Sequence, residues 1–157
     1  MSSKGLPTAD AVSKLIASLV GKNVTAKPGP ALKELPKGGV VVVCVDEAQA
    51  VVAIMVTDVA MAAAAGASLA MIPAAAAQDA ARNGALPPNM AENFREVTNV
   101  MTSLLTTGSG RAVRQAEFSV GAVPAQAGGV MSNSSERLDL EVEVQGYGKG
   151  ALSILVA

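Results

Sequence analysis

The apolar positions change their period along the chain, and each change marks an element. From Thr8 the segment "ADAVSKLIASLV" repeats apolar residues at helical spacing, with Ala11, Leu15, Ile16 and Leu19 on one face, Thr8 placed to cap and Gly21 at the stop. "KNVTAKPGPALKELPKGG" carries three prolines and three glycines and predicts a loop or an edge strand. The runs "VVVVCV" and "AVVAIMVT" flank Asp46 to Gln49, and β-branched runs of that length predict an antiparallel hairpin buried on both faces or nearly so. Thr57 or Asp58 caps an Ala-rich helix, Pro73 opens a second short one, and "RNGALPP" breaks the chain. Pro88 then opens a helix expected to end near Thr107, because Gly108 and Gly110 follow.

Beyond that helix "AVRQAEFSVGAV" suits a strand, and "PAQAGGVMSNSSE" reads as a small, polar and mobile loop. "LDLEVEVQGYG" alternates from Leu138 to Gln145, so Leu138, Leu140, Val142 and Val144 should face a core while Asp139, Glu141, Glu143 and Gln145 face water. "ALSILVA" closes the chain as a strand paired to its predecessor through a turn near Gly146 to Gly150. Meandering strands and consecutive helices predict one α+β domain over residues 1–157, with helices packed on an antiparallel sheet.

The helix from Pro88 is the chemically informative element. At roughly 100° per residue, Met90, Phe94, Val97, Met101, Leu104 and Leu105 fall within one arc of roughly 100° and form the buried face. Glu92, Glu96, Asn99 and Ser103 follow one another at steps of four, three and four on the opposite side. An amphipathic helix has a wet side in any case, and that reading accounts for the stripe without a function. Asn99 does not fit it well, since Asn competes for caps and turns and is a mediocre residue for mid-helix.

Composition removes several chemistries. The chain has no His, which excludes Ser-His-Asp and Cys-His catalysis and histidine-ligated zinc. Cys44, inside "VVVVCVD", reads as a small buried hydrophobe, and one Cys makes no disulfide within a chain. A net charge of −1 with scattered Lys and Arg, one Tyr, two Phe and no Trp offers neither the basic patch nor the stacking platforms of a nucleic-acid binder. Val59 to Ala77 runs 19 residues without a charge, but its Ala, Gly66, Ser68 and Pro73 supply little transfer free energy, so buried helices are expected rather than a membrane insertion. Asp10 and Lys14 interrupt the first apolar run, which therefore does not read as a signal peptide, and a cytoplasmic location is expected. The Asn23-Val24-Thr25 and Asn133-Ser134-Ser135 triplets then carry no glycosylation. "TTGSGR" reads as a helix cap and turn rather than a phosphate loop, Arg111 and Arg114 as solvated, and Met55, Met61, Met71, Met90 and Met101 as core filler.

"E-V-T-N", Glu96 to Asn99, mid-helix about two thirds along the chain, resembles the E-x-x-N signature of the CheC/CheX family of chemotaxis phosphatases. That family places an acidic or Ser residue four before the Glu, here Glu92, and a Pro some twenty-odd residues after the Asn, here Pro124, slightly late. The order of elements is similar over most of the chain, and a single E-x-x-N is closer to CheX than to CheC. Where the family usually has Gly just before the Asn, this chain has Thr98, a side chain that bears on how closely a neighbouring element or partner packs.

The resemblance implies a CheC-like/CheX-like fold and hydrolysis of the aspartyl phosphate of a CheY-like receiver domain, with Asn99 orienting the attacking water and Glu96 pairing with a Lys of the receiver. Glu92 and Ser103 would border the contact. It implies no cofactor or metal of the chain's own, Mg²⁺ being supplied by the receiver, and a homodimer paired through the sheet. The alternatives are a non-catalytic signalling or flagellar-switch binding module with the same fold, and an unrelated α+β domain whose stripe is only solvated surface.

Overall fold

The structure, a computed structural model, describes residues 5–157. In chain order the elements are α1 (Ala9–Val20), β1 (Val24–Pro28), β2 (Val40–Val45), β3 (Val51–Thr57), α2 (Val59–Leu69), α3 (Ala74–Asn83), α4 (Pro88–Ser109), β4 (Arg114–Val120), α5 (Ala125–Asn133), β5 (Glu136–Val144) and β6 (Gly148–Val156). The strands form one antiparallel sheet in the order β1-β5-β6-β3-β2-β4. The α+β architecture expected from the alternating and helical periods is the one observed. Residues 1–4 of the segment tested as a leader lie outside the described residues.

Both faces of the sheet are covered, and this explains why its central strands show no apolar–polar alternation. On one face Val40, Val42, Cys44, Met55, Leu140, Val142, Leu152 and Ile154 pack against α1, α2 and α4. On the other, Val41, Val43, Val45, Ile54, Val56 and Leu155 meet Ala127 and Val130 of α5, with Leu32 and Leu35 alongside. Burial pushes the Cys44 thiol up to about 12, in keeping with an inert hydrophobe.

Segment 124–136, read from sequence as a loop, contains α5. Pro124 stands at its N-cap, so the proline matched to the family pattern starts a helix that covers the sheet. The proline-rich segment contains β1, an edge strand paired with β5, and Pro28 sits at its last position where a ladder donor is dispensable. Asp139 is half-buried rather than in open water: it takes a bidentate pair from Arg137, and Ser153 donates to it at 2.6 Å. Met71, expected in the core, is 80% exposed with φ of 58° in the turn between α2 and α3, while Met55, Met61, Met90 and Met101 are buried.

The alanine-rich α2 is buried along most of its length, and no helix among the described residues is long and apolar enough to cross a membrane. Asp58 is its cap: Oδ1 accepts from the Met61 amide at 2.9 Å and Oδ2 from the Ala151 amide of β6 at 3.1 Å. Burial raises the Asp58 carboxyl above the ordinary aspartate range against the pull of those two amides. Small side chains on α2 let its neighbours come close. A Cβ on Gly66 would lie 2.3 Å from the Met90 carbonyl oxygen, so the backbones of α2 and α4 touch at this point, and α4 is seated firmly.

Candidate functional site

Helix α4 runs 22 residues from Pro88, whose missing N–H costs nothing at the first position, to Gly110, whose φ of 74° closes the C-terminus with a bond to the Thr106 carbonyl. Met90, Phe94, Val97, Met101 and Leu105 are buried as their spacing predicted. Phe94 meets Phe118 of β4 edge-on, with ring centroids 6.2 Å apart. One face is thus anchored to α2, α1 and β4, and the other turns outward.

Glu92, Glu96, Asn99 and Ser103 are all exposed on that outward face. Among the described residues none of their side-chain polar atoms has a hydrogen-bond or ion-pair partner. Glu92 and Glu96 stand four apart as a like-charged pair, which costs a helix about 0.2–0.5 kcal/mol. Neither this repulsion nor a mid-helix Asn is what helix stability would select. Beside Asn99, Val100 is 37% exposed, so the amide has one apolar neighbour on the surface as well as charged ones. Arg95, whose exposed side chain has no partner among the described residues, joins Glu92, Asn93 and Glu96 around a shallow hollow of about 560 Å³.

The flank of α4 toward β4 is a row of threonines. Thr98 is fully buried, and its hydroxyl lies 2.6 Å from Gln115 Oε1 of β4 and 3.1 Å from the Arg95 carbonyl oxygen. The Thr102 hydroxyl donates to the Asn99 carbonyl at 2.6 Å, and Thr106 Oγ1 accepts from the Val113 amide at 3.0 Å. Thr98 therefore packs inward against the chain's own strand and away from the surface on which Asn99 stands. Its side chain stands clear of any partner that meets the stripe. Gln115 itself carried no signal in the sequence, where it is one polar residue of an edge strand; only the fold brings it to α4.

The other candidates fall elsewhere. Arg111 pairs with Asp46 at 2.9 Å and Arg114 bonds Gln49, so both close the β2–β3 hairpin over the end of α4. Gly108 to Gly110 form the end of α4, as a cap and turn. Among the described residues no three Cys, Asp or Glu side chains converge on a point suited to a metal ion.

No protein-family model matches the sequence, and no curated protein does. Solved structures do match the fold. The FliM middle domain from H. pylori superposes with a TM-score of 0.67 at 13% identity, over 94% of this chain and 84% of that one. A chain of the FliG–FliM complex from H. pylori gives 0.62 at 10% identity, over 94% and 85%. A chain of the CheX–CheY–BeF3–Mg²⁺ complex from Borrelia burgdorferi gives 0.55 at 15% identity, over 94% and 93%. The chain has the CheC/CheX fold shared with FliM. At these identities the likeness is one of fold. Within this CheX-like fold Glu96 and Asn99 share one exposed helical turn, with Glu92 one turn before them and Ser103 one turn after.

Proposed function

We propose that this chain is a phosphatase for the aspartyl phosphate of a CheY-like receiver domain. The supporting observation is Asn99: an exposed amide without a partner among the described residues, on a helix whose opposite face is locked into the core. An aspartyl phosphate is an activated acyl phosphate, and its hydrolysis requires a water placed in line with the P–O bond to the aspartate rather than a strong base. A carboxamide suits that task, because Oδ1 accepts one hydrogen of the water while Nδ2 donates to a phosphoryl oxygen or to the same water. The water oxygen forms the new P–O bond, the bond to the aspartate breaks, and the carboxylate leaves. The water's proton passes to phosphate or solvent.

Glu96, three residues before Asn99, would pair with a Lys of the receiver and fix the register in which the amide enters. Glu92 and Ser103 border the contact. The chain brings no cofactor in this scheme; Mg²⁺ belongs to the receiver and offsets charge on the phosphoryl group. Homodimer formation through the sheet and a cytoplasmic setting belong to the same proposal.

A second reading has its own support. The superposition on FliM, at a TM-score of 0.67, is closer than that on the CheX–CheY complex, at 0.55. In that reading the chain docks a signalling or flagellar-switch partner without hydrolysis. The two separate in one experiment: add the chain to a receiver charged with acetyl phosphate, follow phosphate release, and titrate binding to the beryllofluoride-activated receiver in parallel. Acceleration lost in Asn99→Ala supports the phosphatase; binding without acceleration supports the module; neither supports a solvated surface.

A further inference from the structure

We propose that Gln115 is a positioning residue for Asn99, an inference that rests on the phosphatase reading for its kinetic arm alone. In an α-helix the carbonyl of residue 95 is the acceptor for the amide of residue 99. Around that carbonyl the fold assembles two further groups: the Thr98 hydroxyl at 3.1 Å and Gln115 Nε2 at 3.4 Å. Gln115 Oε1 lies 2.6 Å from the same Thr98 hydroxyl, so one carboxamide on β4 holds both ends of the turn that runs from Arg95 to Thr98. The Thr102 hydroxyl, 2.6 Å from the Asn99 carbonyl, holds the next turn from the same flank. The stretch bearing Glu96 and Asn99 is therefore gripped from the side of the sheet, with Gln115 as its only side-chain hydrogen-bond partner from a strand among the described residues.

The grip costs α4 something, since a threonine hydroxyl bonded to its own helix is unfavourable for helix formation. It gains a fixed azimuth. Asn99 points outward beyond the stretch, Met90 to Phe94, where the backbone of α4 is seated on Gly66 of α2, and the grip sets the direction of that next turn. In-line attack tolerates little error in it: a displacement near 1 Å can cost about a hundredfold in rate.

The Thr98–Gln115 bond makes the claim testable by its chemistry. Gln115→Met keeps the length of the side chain and removes both its acceptor and its donor, Thr98→Val keeps the shape and removes the hydroxyl donor, and Gln115→Glu keeps the acceptor for Thr98 while losing the donor to the Arg95 carbonyl. Expected are a tenfold or larger fall in kcat on a charged receiver for Gln115→Met and Thr98→Val, KM within twofold of wild type, no loss in the double variant beyond that of Gln115→Met, and only part of the activity kept in Gln115→Glu. Independently of turnover, amide hydrogen exchange at Val97 to Val100 should quicken at least tenfold in Gln115→Met, with Leu140 and Ile154 in the sheet unchanged. If exchange there is unaltered, or rises equally throughout the molecule, the proposal is overturned. Should Gln115→Met fail to fold, Thr98→Val carries the same exchange measurement. A wild-type chain without turnover overturns the phosphatase reading and not the tether, which exchange still decides.

Discussion

Replacing Asn99 with Ala should make the protein more stable while removing its activity. The side chain is exposed and has no partner within the described residues, so truncation breaks no contact and leaves no buried group behind. The backbone carbonyl keeps its bond from the Thr102 hydroxyl. What remains is intrinsic helix preference, which favours Ala over Asn mid-helix by about 0.5 kcal/mol. For a domain of this size that gain raises Tm by about 1–2 °C. It moves the urea midpoint up by a few tenths of a molar, at a slope of about 1–3 kcal/mol/M. Equilibrium denaturation followed by circular dichroism resolves a shift of that size against wild type. A residue retained against helix stability is what a functional surface predicts. If Asn99→Ala instead lost more than about 1 kcal/mol, the amide would be part of the scaffold, and the reasoning that assigns it to a partner would be wrong.

Three further outcomes follow from the packing. Gly66→Ala should cost about 1–3 kcal/mol in urea denaturation, since its Cβ would lie 2.3 Å from the Met90 carbonyl oxygen; a neutral result would mean that α4 is not seated on α2 as described. Thr57 is fully buried with a hydroxyl that finds no hydrogen-bond partner among the described residues, so Thr57→Val should raise stability by about 1 kcal/mol, and a fall would reveal an unrecognised bond. Cys44 should resist iodoacetamide at pH 8 in the native protein and react once unfolded, because burial holds the thiol neutral with a pKa of about 12; labelling of the folded chain would contradict its place in the core.

The sequence was most readable where one face of an element differs from the other. The period-two run of β5 and the two-sided helix α4 met that condition, and the exposure of Glu92, Glu96, Asn99 and Ser103 follows from spacing alone. Helix α5 did not meet it. With Gly128 and Gly129 at its centre and only Ala127 and Val130 buried, it is helical because the second face of the sheet needs a cover, and nothing local says so. The partner of β1 lies more than a hundred residues away, Val24 opposite Val144, which no local pattern announces. Met71 followed the same logic in reverse: its apolar side chain promised burial, and the turn between two helices left it outside. Asp139 alternated correctly, yet the segment carrying Leu32 folds over it, so the polar face of β5 is wet at Glu143 and half-covered at Asp139.

For the candidate site, the shared exposure of its residues was legible and their support was not. A periodic pattern tells which side chains point the same way; it does not tell what fixes their direction. Thr98 and Gln115 are 17 residues apart and meet only because β4 folds back along α4. The same contact answers the question raised by the Thr in place of Gly, since its side chain turns toward the strand.

A single-turnover measurement tests the central claim most directly: a receiver charged with acetyl phosphate and freed of excess donor is mixed with a saturating amount of the chain, and loss of its phosphate is timed. The account predicts decay well above the receiver's own rate with the wild-type chain, and decay at the receiver's own rate with Asn99→Ala although that variant still binds. Decay no faster than the receiver alone when wild-type chain is bound, or equal acceleration by the two chains, would contradict it.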